Sequence, residues 1–222
     1  MFVIPCKYSE QNPIIFECVS RIRQYQSEER ILIVDSASED KSYFDRLEGV
    51  EIADINNVHY GTNAFKFAFD NYLEEQFFYC IYDSLLLNNS LKHIKTIPLT
   101  VVRHFFSPPT GIGWNSEGIS LSVWANQQMN THMGIGLPDI YTGVMGPMLM
   151  CNRSVLKDLS DLGFFSILPT NKYELCAMER ILGCALSHLG YRIEESSLQG
   201  EMVDFFGQYD NTYVEKVNIA RW

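Results

Sequence analysis

Phe77-Phe78-Tyr79-Cys80-Ile81-Tyr82-Asp83 is the stretch that decides the fold: an apolar, aromatic-rich run that ends on a carboxylate. A continuous apolar run of this length fits a strand covered on both faces. Its terminal Asp83 then stands at the mouth of a sheet. Ile31-Leu32-Ile33-Val34-Asp35 repeats the pattern. In open α/β sheets, ligands bind outside the carboxyl ends of the strands. Two parallel strands that deliver Asp35 and Asp83 to one rim make a candidate site.

Outward from these runs, strand and helix alternate. Phe2-Val3-Ile4-Pro5 forms a short strand. Asn12-Pro13 supplies a cap and a first-turn proline for a helix that runs to about Tyr25. Ile15, Cys18, Val19 and Ile22 share one face of it. The second strand covers Arg30 to Asp35, and the third Val50 to Ile55, after Gly49. Thr62 or Asn63 caps the next helix, with Ala64, Phe67, Ala68 and Tyr72 at helical spacing. This alternation predicts βαβ units, a parallel sheet and an α/β fold.

The second half is less regular. Leu99 to Phe106 and Val144 to Cys151 are expected strands. Between them, Ser107 to Tyr141 is rich in Gly, Asn, Ser and Pro and contains Trp114 and Trp124, which predicts a long functional loop or lid. Asn171 to Leu189 predicts a helix that stops at Gly190. The tail carries Phe205, Phe206, Tyr209, Tyr213 and Trp222 and is expected to pack. No linker composition divides the chain, so one domain over residues 1–222 is expected.

Composition narrows the function. Apolar residues make up 46% of the 222, enough for a core. A net charge of −10 with no basic stripe excludes a binder of nucleic-acid backbones. Six scattered cysteines without a C-x-x-C pair predict reduced thiols and a reducing compartment. No signal peptide is evident and no apolar run reaches membrane-spanning length, so a cytoplasmic protein is expected.

Three loops could carry chemistry. Asp35-Ser36-Ala37-Ser38-Glu39-Asp40 closes the second strand. It fits a ligand-facing Asp35 with Ser38, and it equally fits an Asx or Ser turn. Asn57-Val58-His59-Tyr60-Gly61-Thr62-Asn63-Ala64 enters a helix whose N-terminal N–H groups suit an anion, while Gly61 and Asn63 also suit an ordinary turn and cap. Tyr82-Asp83-Ser84 offers a carboxylate for a divalent cation beside a diphosphate. An Asp here also serves to cap the following loop.

Taken in order, these pieces are specific: a strand ending in Pro5, a strand ending in V-D-S-x-S-x-D, an N-x-x-Y-G-x-x-A loop and helix, and an aromatic strand ending in Asp83. The order resembles the nucleotide-binding half of GT-A-fold glycosyltransferases of the family 2 type. The resemblance covers residues 2–87 well and the rest loosely. It implies a three-layer α/β/α, Rossmann-like, mostly parallel sheet. Residues 1–90 would bind a nucleotide-sugar, with UDP preferred, and residues 91–222 would hold the acceptor, a glycan or another hydroxyl compound. Pro5, Asp35, Ser38, Gly61, Asn63, Asp83, Ser84 and Arg103 fall on the donor side, and Gly143 and Trp124 on the acceptor side. The family's D-x-D motif binds Mn²⁺ or Mg²⁺. Here it reads Asp83-Ser84-Leu85, so Asp83 is the one metal ligand in it.

The family also places an acidic residue on a late helix, about a dozen residues before a strand entry such as Gly190-Tyr191-Arg192-Ile193. That spacing points to Glu179 as general base, with Glu174 as the alternative. Glu179 has Leu175 and Gly183 at i−4 and i+4, hence no helical ion-pair partner at those positions. A base opposite the leaving diphosphate implies inversion, and the activity implied is hexosyl transfer. The missing second Asp equally suits a non-catalytic binder of sugar nucleotides or glycans. A nucleotidyltransferase fits less well, because Cys6-Lys7-Tyr8-Ser9-Glu10-Gln11-Asn12 has no glycine.

Overall fold

The computed structural model describes residues 1–107, 116–202 and 209–217. In chain order these form β1 (Phe2–Cys6), α1 (Ile14–Tyr25), β2 (Ile31–Asp35), β3 (Glu51–Ala53), α2 (Tyr60–Asn71), β4 (Phe77–Cys80), β5 (Leu85–Leu87), β6 (Leu99–Val101), β7 (His104–Ser107), α3 (Ser116–Met133), β8 (Tyr141–Val144), β9 (Leu149–Asn152), α4 (Arg153–Asp161), α5 (Lys172–His188) and β10 (Val214–Lys216). The central sheet has six strands in the order β3-β2-β1-β4-β9-β6 and is mostly parallel. The expected α/β class therefore holds.

Two compact units can be distinguished. One takes in Met1–Pro98, Met150–Arg153 and Asn211–Trp222. The other takes in Leu99–Leu149 and Ser154–Asp210.

In the first unit, β1 pairs in parallel with both β2 and β4, and β2 with β3. The chain steps outward from β1 to β3 and then returns to β4 on the other side of β1. Right-handed crossovers then require α1 and α2 to lie on opposite faces of the sheet. The reversal makes the gap between β1 and β4 a topological switch point. The expected apolar face of α1 is buried: Ile15, Cys18, Val19 and Ile22. Its start differs from the expectation, since Pro13 occupies the cap position with no side-chain cap hydrogen bond. Helix α2 begins earlier than expected, at Tyr60, so Thr62 and Asn63 lie inside its first turn. Phe65 is buried there and Phe67 is not. The far end of α2 is fixed by Arg153, whose guanidinium donates to the carbonyls of Tyr72 at 3.0 Å and Phe69 at 2.6 Å. A cation suits a helix C-terminus.

The second unit corrects three expectations. The segment expected as one strand from Leu99 to Phe106 is two strands, β6 and β7, in different sheets. The segment from Val144 to Cys151 is likewise broken between β8 and β9, where Gly146 adopts φ +67° ahead of Pro147. The expected loop at 107–141 contains α3, an 18-residue helix. Leu121, Ala125, Met129 and Met133 bury one stripe of it at every fourth position. Trp114 lies outside the described residues, as do Phe205, Phe206 and Trp222. The expected helix at 171–189 is α5, capped by Asn171, which accepts from Glu174 N–H at 2.9 Å. Gly190 follows at φ +86°. After it, Tyr191-Arg192-Ile193 does not enter a strand but a short 3-10 turn. Helix α5 lies directly on β8: a Cβ on Gly183 would stand 2.0 Å from the Thr142 carbonyl oxygen.

All six cysteines are free thiols, five of them buried. No described helix is long and apolar enough to cross a membrane.

Candidate functional site

The first unit brings four loops to the carboxyl ends of β1 to β4. Pro5 shapes this rim through what it lacks. Residues Val3 and Pro5 of β1 face β4, and Ile81 N–H donates to Val3 O at 3.2 Å. Proline has no N–H with which to extend that ladder. Pairing with β4 ends at Val3↔Cys80, while pairing with β2 continues through Pro5↔Val34 and Cys6↔Asp35. The ladder thus stops on one side only, at the switch point.

Asp35 is fully buried. Its Oδ2 accepts Ser38 N–H at 3.0 Å and its Oδ1 accepts the Tyr43 hydroxyl at 2.7 Å. Ser38 Oγ in turn accepts Tyr8 N–H at 2.8 Å, and the Tyr8 and Tyr43 rings stack with centroids 4.6 Å apart. Burial raises the Tyr43 pKa well above the ordinary phenol value, with Cys6 and Asp35 adding to it. Asp35 and Ser38 therefore brace the loops after β1 and β2 against each other.

The loop after β3 is tied to the same frame through buried Asn57. Its amide donates to Tyr60 O at 2.8 Å and to Ser36 Oγ at 3.4 Å. Its Oδ1 accepts His59 N–H and the Asn63 amide, each at 3.1 Å. Gly61 sits in the first turn of α2 rather than in a tight turn. A Cβ there would meet Tyr82 Oη at 2.6 Å, so glycine lets Tyr82, beyond the end of β4, pack against the helix start. The first turn of α2 contains no acidic residue. Its leading N–H groups have no intrahelical acceptors and carry the positive end of the helix dipole.

Three non-glycine residues have left-handed backbone: Ala37 at φ 56°, Asn56 at φ 50° and Tyr60 at φ 53°. Ala37 and Asn56 lie in these rim loops, and Tyr60 opens α2. Such strain collects where a surrounding structure enforces it, often at functional sites.

Asp83 and Ser84 are both buried beyond β4. Ser84 Oγ contacts the Lys216 ammonium, and Val217 N–H donates to Ser84 O at 2.9 Å. Lys216 was not singled out from the sequence. It reaches this corner because β10 pairs with β5, a tertiary contact without a local signal. Among the described residues, no three His, Cys, Asp or Glu side chains cluster to hold a metal. A divalent cation needs several oxygen ligands.

The second unit holds the remaining candidates. Glu179 is half-buried on α5, and its Oε1 accepts Gly146 N–H at 2.8 Å. Glu174 is occupied at the helix start: its Oε2 accepts the Thr170 N–H at 2.6 Å and the Thr170 hydroxyl at 2.8 Å. This is a capping arrangement. Gly143 faces Phe105 across β7 and β8, and the Phe105 ring fills the space where a Cβ would be. Trp124 lies half-buried on α3, not in a loop. Arg103 donates from Nε to Gln199 Oε1 at 2.5 Å and lies 3.6 Å over the Tyr209 ring, and burial lowers its pKa.

No family model matches the sequence, and no curated protein matches it. Among solved structures, the chain is similar to the crystal structure of S. aureus TarS 1-349. The identity is 14% and the TM-score 0.42, over 82% of this chain and 55% of that one. The chain thus spans about half the length of that structure.

Proposed function

We propose that the chain is a GT-A-type glycosyltransferase that moves a hexosyl group from a nucleoside-diphosphate donor, with UDP preferred, to a hydroxyl acceptor such as a glycan. One observation carries the reading. Asp35 at the end of β2, the loops with Ser38, Asn57 and Asp83, and the first turn of α2 with Gly61 and Asn63 follow the carboxyl ends of β1 to β4, around the switch point, and the left-handed residues Ala37, Asn56 and Tyr60 lie among them. Nucleotides bind at such places in α/β sheets. The first turn of α2 offers N–H groups to the diphosphate.

In the reaction proposed, the acceptor hydroxyl attacks the anomeric carbon as Glu179 takes its proton. The bond from that carbon to the diphosphate oxygen breaks, and the nucleoside diphosphate leaves with the electron pair. Attack opposite the leaving group inverts the anomeric centre. Glu179 is preferred to Glu174 because the Glu174 carboxylate is engaged in capping α5.

The single carboxylate at the D-x-D position also supports a second reading, a sugar-nucleotide binder without turnover. A thermal-shift panel of UDP, GDP, dTDP, CMP and their sugars tests both. A ligand that binds only the folded state raises its melting temperature. The proposed enzyme is stabilised by one nucleotide class and releases that nucleotide from its sugar conjugate when acceptor is added. Stabilisation without release under any acceptor selects the binder. No stabilisation by any nucleotide overturns both.

A further inference from the structure

The resemblance would place its second carboxylate at the position of Leu85; the residue before it is Ser84, and the Lys216 ammonium rests on the Ser84 Oγ. Strand pairing builds the contact. β10 runs antiparallel to β5 in the register Val214↔Leu87, Glu215↔Leu86 and Lys216↔Leu85, and Val217 N–H closes the ladder on Ser84 O. Lys216 is half-buried and Ser84 is buried, so the ammonium is held at the corner that follows β4. No cluster of metal-ligating side chains is present among the described residues. A cation fixed by the chain does the electrostatic work of a bound metal where negative charge develops. An ammonium does so without needing several oxygen ligands.

We propose that Lys216 supplies the positive charge that the donor diphosphate meets at the Asp83–Ser84 corner, so that donor binding needs no divalent metal. The proposal rests on the reading of the chain as a nucleotide-sugar enzyme. When the bond between anomeric carbon and diphosphate oxygen breaks, the electron pair stays on that oxygen. The Lys216 ammonium offsets the added charge and keeps its proton.

The test is calorimetric titration of the purified chain with UDP and with uridine, in EDTA and in Mn²⁺. It uses the unaltered protein, Lys216→Met and Lys216→Arg. In the unaltered protein, UDP binds in EDTA, and Mn²⁺ changes its affinity by less than about threefold. Lys216→Met weakens UDP by about tenfold or more, the worth of one charge-assisted hydrogen bond, and leaves uridine within about twofold. Lys216→Arg retains most of the UDP affinity. The comparison of EDTA with Mn²⁺ needs no variant, so it stands even if Lys216→Met fails to fold. UDP binding that requires Mn²⁺, or that Lys216→Met leaves unchanged, overturns the role of Lys216 while the nucleotide reading survives. No UDP binding in either condition overturns both.

Discussion

The Glu179 carboxylate and the Gly146 amide are joined by a 2.8 Å hydrogen bond that ties α5 to the break between β8 and β9. The bond fixes one carboxylate oxygen. Because Gln keeps an oxygen there, Glu179→Gln should preserve the bond and the fold. If Glu179 is the base, the variant binds donor normally and loses turnover by ~10²–10⁴, the usual worth of a general base. Initial-rate kinetics beside a donor titration check this. Full turnover in Glu179→Gln would transfer the role elsewhere.

Glu174→Gln gives the contrasting result. Its carboxylate accepts two hydrogen bonds from Thr170. Weakening this cap should cost about 0.5–2 kcal/mol of stability and leave turnover intact. Urea unfolding measures the first and the same rate assay the second. Lost turnover with unchanged stability would make Glu174 the base.

Tyr43→Phe probes the brace under the rim. The Tyr43 hydroxyl is the donor to buried Asp35 Oδ1, and its removal strands that oxygen away from water. The expected loss is about 1–3 kcal/mol, read as a lower urea midpoint with unchanged slope. An unchanged midpoint would mean that the Asp35–Tyr43 bond adds nothing net.

Ala37→Gly should stabilise the chain or leave it unchanged. Left-handed backbone costs an L-residue roughly 1–2 kcal/mol, whereas glycine pays a smaller entropic cost in the unfolded state. Ala37 has φ 56°. Val at the same position should lower the melting temperature. Equal melting temperatures for the Gly and Val variants would show that the loop holds no strain at this residue.

His104 gives a pH dependence. It is buried, and desolvation lowers its pKa below the ordinary value of 6.5 despite nearby Glu194 and Glu201. Below pH 6.5 the unfolded chain takes up a proton that the folded chain does not. Stability should therefore fall as pH drops from 6.5 towards the lowered folded pKa. His104→Gln should flatten this part of the stability profile, measured by urea unfolding between about pH 5 and 7. A profile equally steep in the variant would assign the slope to other groups.

The parallel half was legible because its signals are local. The run that ends on Asp35 places a strand end directly, and the run towards Asp83 places β4, which ends earlier, at Cys80. Helix α3 was hidden because Ser, Asn, Thr and Gly, residues that also fill loops, recur along it, and its buried stripe is thin. The break between β8 and β9 did carry a signal, Gly146-Pro147, inside an otherwise apolar run, whereas the break between β6 and β7 falls at Val102-Arg103 with neither Gly nor Pro. For the site, an Asx turn from Asp35 to Ser38 N–H was readable, since the partners are three residues apart. The Tyr43 hydroxyl on Asp35 and Lys216 on Ser84 depend on how distant segments fold back, and no spacing announces them.

The separation of Ser84 and Lys216 by 132 residues also sets an order of assembly. β1 to β4 and their rim loops are complete within the first 98 residues, but the ammonium arrives only once β10 has been synthesised and paired with β5. Long-range pairings carry the loop-closure cost that local ones avoid, and they form late. During synthesis on the ribosome, the nascent chain therefore passes through a stage in which the sheet exists without the corner's positive charge.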